Sequence, residues 1–218
     1  MLTVVIPVLN ASASLGHCLA SIVQADEIIV VDGGSSDDSV DIAARSGARV
    51  ITAPRGRGVQ LAMGGQAARG DWLLFLHADT RLGTGWHEAV AAHIAAAPHC
   101  AGYFEFRLDD AAWQARLIEF GVAVRAPALG LPYGDQGLLI SRRLYDEVGG
   151  FRPLPLMEDV DLVRRIGRHR LRRLGAHALT SAERWRRDGW FRRSGRNIVC
   201  LALYVGGVEP TRLARIYR

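Results

Sequence analysis

The chain has no lysine; all 27 basic residues are arginine, a bias that codon usage alone can produce and to which no mechanism is assigned. Cysteine is scarce. Cys18, Cys100 and Cys200 are far apart, odd in number and without metal-ligand spacing, which excludes a cysteine-built metal site and fits a reducing cytosol. Long apolar runs are missing too: residues 198–205, the longest near the C-terminus, are far too few to span a bilayer. No basic segment precedes residues 2–8, so no secretory signal is expected. No Gly-x-Gly-x-x-Gly follows the first apolar run, where Pro7-Val8-Leu9-Asn10 stands instead, and this argues against a dinucleotide site. There is no internal repeat and no linker composition.

What is present is 218 residues, 49% hydrophobic and 22% charged, enough for one large domain or one domain with an appendage. Charge is unevenly spread. Residues 1–109 hold 7 Arg and 11 acids, and residues 110–218 hold 20 Arg and 11 acids, so the second half calls for an anionic partner.

Residues 71–79, DWLLFLHAD, form the central stretch. Five large apolar residues in a row suit a strand buried on both faces, and ligands of open parallel sheets sit beyond the carboxyl ends of such strands. Around it, apolar runs at 2–9, 27–31 and 48–52 predict strands. Between them a helix capped by Asn10, Ser12 or Ser14 and running to about residue 24, one capped by Ser36 or Asp37 and running to 45, and a small-residue helix to 68 are predicted. This βαβ series implies a mostly parallel sheet flanked by helices. Farther on, the pattern predicts a helix over 86–97, an edge or antiparallel strand over 101–108 and a helix over 111–125. A Gly- and Pro-rich loop over 127–137 is expected to border an active site. A short strand over 138–140, a helix capped by Ser141, a helix from 158 to about 169, and helices over 190–205 and 209–217 complete the chain.

Several residues allow two readings. Asp32 closes the second strand before Gly33-Gly34, either as a ligand contact or as a capping turn. Arg55 and Arg57, beyond the third strand, suit phosphate or a solvated loop. Asp79 holds a metal or ribose, or starts a turn. Glu158 and Asp159 do chemistry or stabilise a helix N-terminus. His17, His87, His93, His99 and His169 have no partner spacing, while His177 is a candidate late metal ligand. Asp32, Arg57 and Asp79 all fall at strand carboxyl ends of one sheet, and that convergence favours the functional readings.

In this order, Ile6-Pro7-Val8-Leu9-Asn10, Val31-Asp32-Gly33-Gly34-Ser35-Ser36-Asp37, Phe75-Leu76-His77-Ala78-Asp79, Val148-Gly149-Gly150-Phe151 and Glu158-Asp159-Val160-Asp161-Leu162 resemble the family 2 glycosyltransferases of GT-A fold. The closest resemblance is to a small bacterial subgroup with His-Ala-Asp-Thr, Pro-Tyr-Gly-Asp-Gln-Gly and Pro-Leu-Met-Glu-Asp. The resemblance implies an inverting, non-processive transfer from a nucleoside-diphosphate sugar, with a UDP-sugar the expected donor, to an acceptor hydroxyl. It implies that Pro7, Val8, Leu9, Asn10 and Asp32 surround base and ribose and that Arg57 approaches base or phosphates. Asp79 would hold Mn²⁺ or Mg²⁺ against the diphosphate, and Asp159 would be the catalytic base. Gly134, Asp135, Gln136 and Glu158 would lie on the acceptor side. Leu9 stands where the family often has Tyr, Gly33 where a second Asp is frequent, and His77 where Asp-x-Asp has its first acid. The Gln-x-x-Arg-Trp of processive members is absent.

The expectation is therefore one GT-A domain over 1–218. Residues 1–109 form its donor half, 110–182 its acceptor and catalytic half, and 183–218 a helical appendage. Its expected place is cytoplasmic, with peripheral contact at the anionic inner membrane surface and no nucleic-acid partner. A nucleotidyltransferase of related fold and an Arg-rich nucleic-acid-binding module are the rival readings. The first lacks its Gly-rich basic loop, and the second leaves the acidic sites unexplained.

Overall fold

Alternating β-branched and small-residue segments build the first half of the computed structural model, which describes residues 1–217. Strands β1 (Leu2–Val8), β2 (Glu27–Asp32), β3 (Arg49–Thr52) and β4 (Trp72–Phe75) alternate with helices α1 (Ser12–Ala20), α2 (Ser39–Arg45) and α3 (Arg57–Ala67). They pair in parallel in the order β3-β2-β1-β4, the outcome expected when each crossover is a helix. Both faces are covered. Val5, Ile29, Val31, Leu73 and Phe75 pack on one side, and Val4, Ile6, Val30, Leu74 and Leu76 on the other. This two-sided burial is why these strands read as unbroken apolar runs.

The rest of the sheet is mixed. After β5 (Thr80–Leu82) come α4 (Trp86–Ala96), β6 (Ala101–Leu108), α5 (Trp113–Leu129), β7 (Leu138–Ser141) and α6 (Arg142–Glu147). Next are α7 (Glu158–Ile166), β8 (Leu171–Thr180), α8 (Glu183–Asp188), α9 (Trp190–Val205) and α10 (Pro210–Tyr217). The eight strands run β3-β2-β1-β4-β7-β6-β8-β5. β7 is antiparallel to β4 and β6, β5 is antiparallel to β8, and β6 is parallel to β8. Ser141 caps α6 as expected, its hydroxyl accepting from the Leu144 N–H at 3.2 Å.

Some expectations need correction. β6 is antiparallel to β7, as one of its two readings has it, but interior, because residues 171–180, for which no element is predicted, form the ten-residue strand β8 on its other side. β8 buries Leu174, Ala176, Ala178 and Thr180 in alternation, but small inward residues among arginines give little apolar signal. The three-residue β5 directly after Asp79 was also not expected. The predicted loop starting at Pro127 is instead the last turn of α5, which ends at Gly130 in the left-handed conformation. There Pro127 removes only the hydrogen bond to exposed Ala123, so the helix continues through it. No helix among the described residues is long and apolar enough to cross a membrane.

Candidate active site

The carboxyl end of β4 opens into His77-Ala78-Asp79, and the sheet itself fixes this turn. Cys18 Sγ donates to the His77 carbonyl at 3.4 Å, and the Ser181 N–H donates to the Asp79 carbonyl at 2.9 Å. Directly beyond, the buried hydroxyls of Thr80 and Thr180 meet at 2.9 Å across β5 and β8. Thr180 also donates to the Asp135 carbonyl at 3.2 Å, anchoring the Gly134–Gln136 turn beside Asp79. Gln136 is buried and donates to the Phe104 carbonyl at 3.1 Å, so it holds the turn in place.

From the opposite side, α7 begins at Met157, whose φ of 64° turns the chain sharply into the helix. Fully buried Glu158 and mostly buried Asp159 follow. Arg57, at the start of α3, ties the two sides together. Its Nε donates to Glu158 Oε1, its Nη2 to Asp159 Oδ2 at 3.4 Å, and its Nη1 lies 3.4 Å from His77 Nε2. Asp159 Oδ1 also accepts the Val160 N–H at 2.8 Å, so the helix-start reading and the active-site reading of this residue both hold geometrically.

These groups face a cavity of about 730 Å³ whose walls include Arg57, His77, Asp79, Asp135, Glu158 and Asp159. Burial pushes Asp135 up to about 6, with the charges of Asp159 and Asp79 adding to the effect and Arg125 opposing it. One Asp135 oxygen, Oδ1, is buried with no hydrogen-bond partner among the described residues. Burial, followed by Arg57, lowers His77 to about 4, so its imidazole is neutral at pH 7. Glu158 is raised by burial against the opposing pull of Arg57.

The structure thus joins five of the sequence-predicted residues, Arg57, Asp79, Asp135, Glu158 and Asp159, in one cavity. Pro7, Val8, Leu9, Asn10 and Asp32 lie at the same sheet edge but do not line it. Asp32 accepts from the N–H groups of Gly34 at 2.9 Å and Ser35 at 3.1 Å. Asn10, at φ 51°, accepts from Ser36 N at 2.8 Å. Gln60 fastens β1 to β2 by donating to the carbonyls of Val8 and Val31, both at 2.7 Å. Asp32 is thus the organiser of its own turn. His177 is exposed on β8, packs by Gly83 and stands away from the cavity. Sequence reasoning missed the α8–α9 wall, with Arg184, Arg187, Arg192, Arg193, Arg196 and Asp188. Its only trace in the sequence is the excess of arginine in the second half. Arg184 Nη2 stands 3.6 Å from Asp79 Oδ2.

Among the described residues no three His, Cys, Asp or Glu side chains gather as a metal cage. A lone cavity-facing carboxylate such as Asp79 still fits Mg²⁺ or Mn²⁺, which bind through one or two carboxylates plus substrate phosphate oxygens.

Comparison with known proteins completes the description. The family model for Glycosyl transferase family 2 matches residues 3–153. A PGL/p-HBAD biosynthesis glycosyltransferase of Mycobacterium bovis is 42% identical over 93 residues, covering 38% of this chain and 36% of that protein. The match therefore spans little more than a third of such curated relatives. Glucosyl-3-phosphoglycerate synthase from Mycobacterium tuberculosis, solved with Mn²⁺, UDP and glucosyl-3-phosphoglycerate, superimposes with a TM-score of 0.59 at 22% identity, covering 83% of this chain and 70% of that one. S. aureus TarS gives a TM-score of 0.65 at 15% identity over 97% of this chain and 41% of its own. At these identities the structural likeness speaks for the fold.

Proposed function

The chain belongs to glycosyl transferase family 2 and is a glycosyltransferase, and from that premise we propose that it is an inverting, non-processive enzyme transferring a sugar from a nucleoside-diphosphate sugar, a UDP-sugar first among candidates, to an acceptor hydroxyl. The observation that carries this reading is the single cavity in which Asp79, from the end of β4, and Asp159, from the start of α7, both take part. Asp159 accepts the proton of the acceptor hydroxyl as its oxygen bonds to the anomeric carbon and the bond to the diphosphate breaks. The nucleoside diphosphate leaves with that electron pair. A divalent cation held by Asp79 would neutralise charge developing on the diphosphate. Arg57 fixes Asp159 and Glu158 relative to His77, which supports a positioning role beside the base or phosphate contact expected of it. Pro7 to Asn10 and Asp32 offer the adjoining sheet edge to base and ribose. Residues 1–109 serve the donor, 110–182 supply the acceptor side and base, and 183–218 close the cavity with helices.

The test is donor binding and turnover measured side by side. Asp79→Ala is expected to remove the Mn²⁺-dependent part of UDP binding in calorimetry and leave thermal unfolding in place. Asp159→Asn is expected to lower transfer by roughly 10²–10⁴-fold at unchanged donor affinity, the usual cost of losing a general base. Glu158→Gln should lose less. Near wild-type turnover in Asp159→Asn would reduce that residue to a helix-start carboxylate.

The reading extends to place: cytoplasmic action at the anionic inner membrane surface. What supports it is the unpaired state of Cys18, Cys100 and Cys200, together with the outward apolar faces of α5 and α9 set among arginines.

A further inference from the structure

Three arginines of the α8–α9 segment share one carboxylate. Arg187 Nε donates to Asp188 Oδ1 at 2.9 Å, Arg193 Nη1 to Oδ2 at 2.8 Å and Arg196 Nη2 to Oδ2 at 3.4 Å. One acid cannot balance three guanidiniums; Glu183 adds its charge only at Arg187, and residues 189–208 contain neither Asp nor Glu. All four residues line the cavity that holds Asp79 and Asp159.

Two of the guanidiniums are built in. The Arg193 side chain is 10% exposed and its guanidinium lies 4.9 Å from the Trp185 ring centroid, while that of Arg196 stacks at 4.6 Å from the Tyr217 ring. Aromatic faces fix the guanidinium planes and leave their edges to accept an anion. The Nε–H groups of both are buried with no partner among the described residues. An unsatisfied buried donor costs about 1–3 kcal/mol, and more when charged. Two such donors, on guanidiniums whose side chains line an open cavity with surplus positive charge, favour an anion there.

We propose that this wall is an anion site for the acceptor, and that the acceptor carries a phosphomonoester. The four guanidiniums of Arg187, Arg192, Arg193 and Arg196, less Asp188 and Glu183, leave two positive charges, which match a phosphate dianion. Its tetrahedral oxygens carry that charge in one group and take guanidinium N–H bonds from several directions at once, out of the single plane in which a carboxylate accepts them. The inference rests on the glycosyltransfer reading for calling the anion an acceptor, but the site itself stands on geometry.

The experiment is calorimetric titration of inorganic phosphate into the full chain, alone and with the donor site saturated by UDP and Mn²⁺. Phosphate is expected to bind in both conditions. Arg196→Met is expected to weaken it by about tenfold or more, the loss of a charge-assisted bond, with UDP affinity unchanged. Arg187→Ala, at an exposed position that leaves the packing alone, should show the same direction and guards against misfolding of the first variant. Unchanged phosphate affinity in both variants overturns the proposal. So does mutual exclusion of phosphate and UDP, which would give the wall to the donor's diphosphate. Failure to bind UDP at all would instead strike the glycosyltransfer reading, leaving the phosphate titration without UDP to judge the site. Sedimentation with phosphatidic acid vesicles, lost in Arg196→Met, would identify a lipid-borne phosphate; binding of inorganic phosphate without such sedimentation would identify a soluble one.

Discussion

Asp135 lowers the stability of the fold that holds it. Its side chain is confined in the turn pinned by Thr180 and Gln136, near Asp79 and Asp159, and burial raises its pKa to about 6. The unfolded chain gives up this proton near pH 4, whereas the folded chain keeps it until about pH 6. The favourable contribution is therefore complete below pH 4 and is lost as pH rises through 6. At neutral pH the folded protein carries this largely desolvated carboxylate at a cost on the order of 3 kcal/mol. Asp135→Asn keeps the shape without the charge. Urea unfolding should show the variant more stable than wild type by that amount at pH 8 and nearly equal to it at pH 4. An equal gain at both pH values would show that ionisation is not the cause. A group kept at such cost in a cavity wall is the pattern of a functional residue, where activity is traded against stability.

At the scale of elements, α3 sets the position of Arg57, and α3 lies unusually close to the sheet. A Cβ on Gly64 would collide with the side chains of Val5 and Val31, so only glycine permits the approach. Gly64→Ala should lower the unfolding free energy by about 1–3 kcal/mol, as overpacking does, despite the better helix propensity of alanine. Thermal or urea denaturation measures it; a stabilised variant would mean the helix can lift without strain. The sequence makes such a crossover helix legible, because apolar runs and small-residue helices alternate over the first 76 residues. Asp79, Arg57 and Asp159 were legible as ends and starts of elements, since a strand that stops in a polar cluster announces its own terminus. β8 was not legible, because Ala176 and Ala178 are small for inward residues and Gly175 and His177 face out between them, after Arg172 and Arg173 at the strand's start. Nor was the arginine wall. Composition shows the excess of arginine, but which guanidiniums face the cavity depends on how Trp185 and Tyr217 pack, and that is settled only by tertiary structure. Asp32 shows the converse: its place at a strand end was foreseen, yet its carboxylate is engaged by the N–H groups of its own turn.

The whole molecule is lopsided in charge and also in apolar surface. Trp113, Leu117, Phe120 and Val124 recur every three or four residues along α5 and are exposed by half or more. Phe191, Ile198 and Val205 recur every seven residues along α9 and are equally exposed, and the two faces adjoin where the rings of Trp113 and Phe191 stand 6.0 Å apart. Exposed Arg116 and Arg192 lie among them, and the arginine-rich α8–α10 region borders the patch. Aromatic and aliphatic side chains set among arginines match the boundary between anionic headgroups and acyl chains, where buried apolar area and charge act together. The protein should sediment with vesicles containing phosphatidylglycerol, less with pure phosphatidylcholine, and less again as salt is raised, because screening weakens only the charge component. Phe120→Glu combined with Ile198→Glu places carboxylates on this apolar face and should reduce sedimentation by about tenfold or more. Both positions are exposed, so unfolding temperature and UDP affinity should stay at wild-type values. Absence of sedimentation with either vesicle would remove the membrane contact. If in addition the wild type were dimeric by ultracentrifugation and the double variant monomeric, the face would belong to a second copy of the chain.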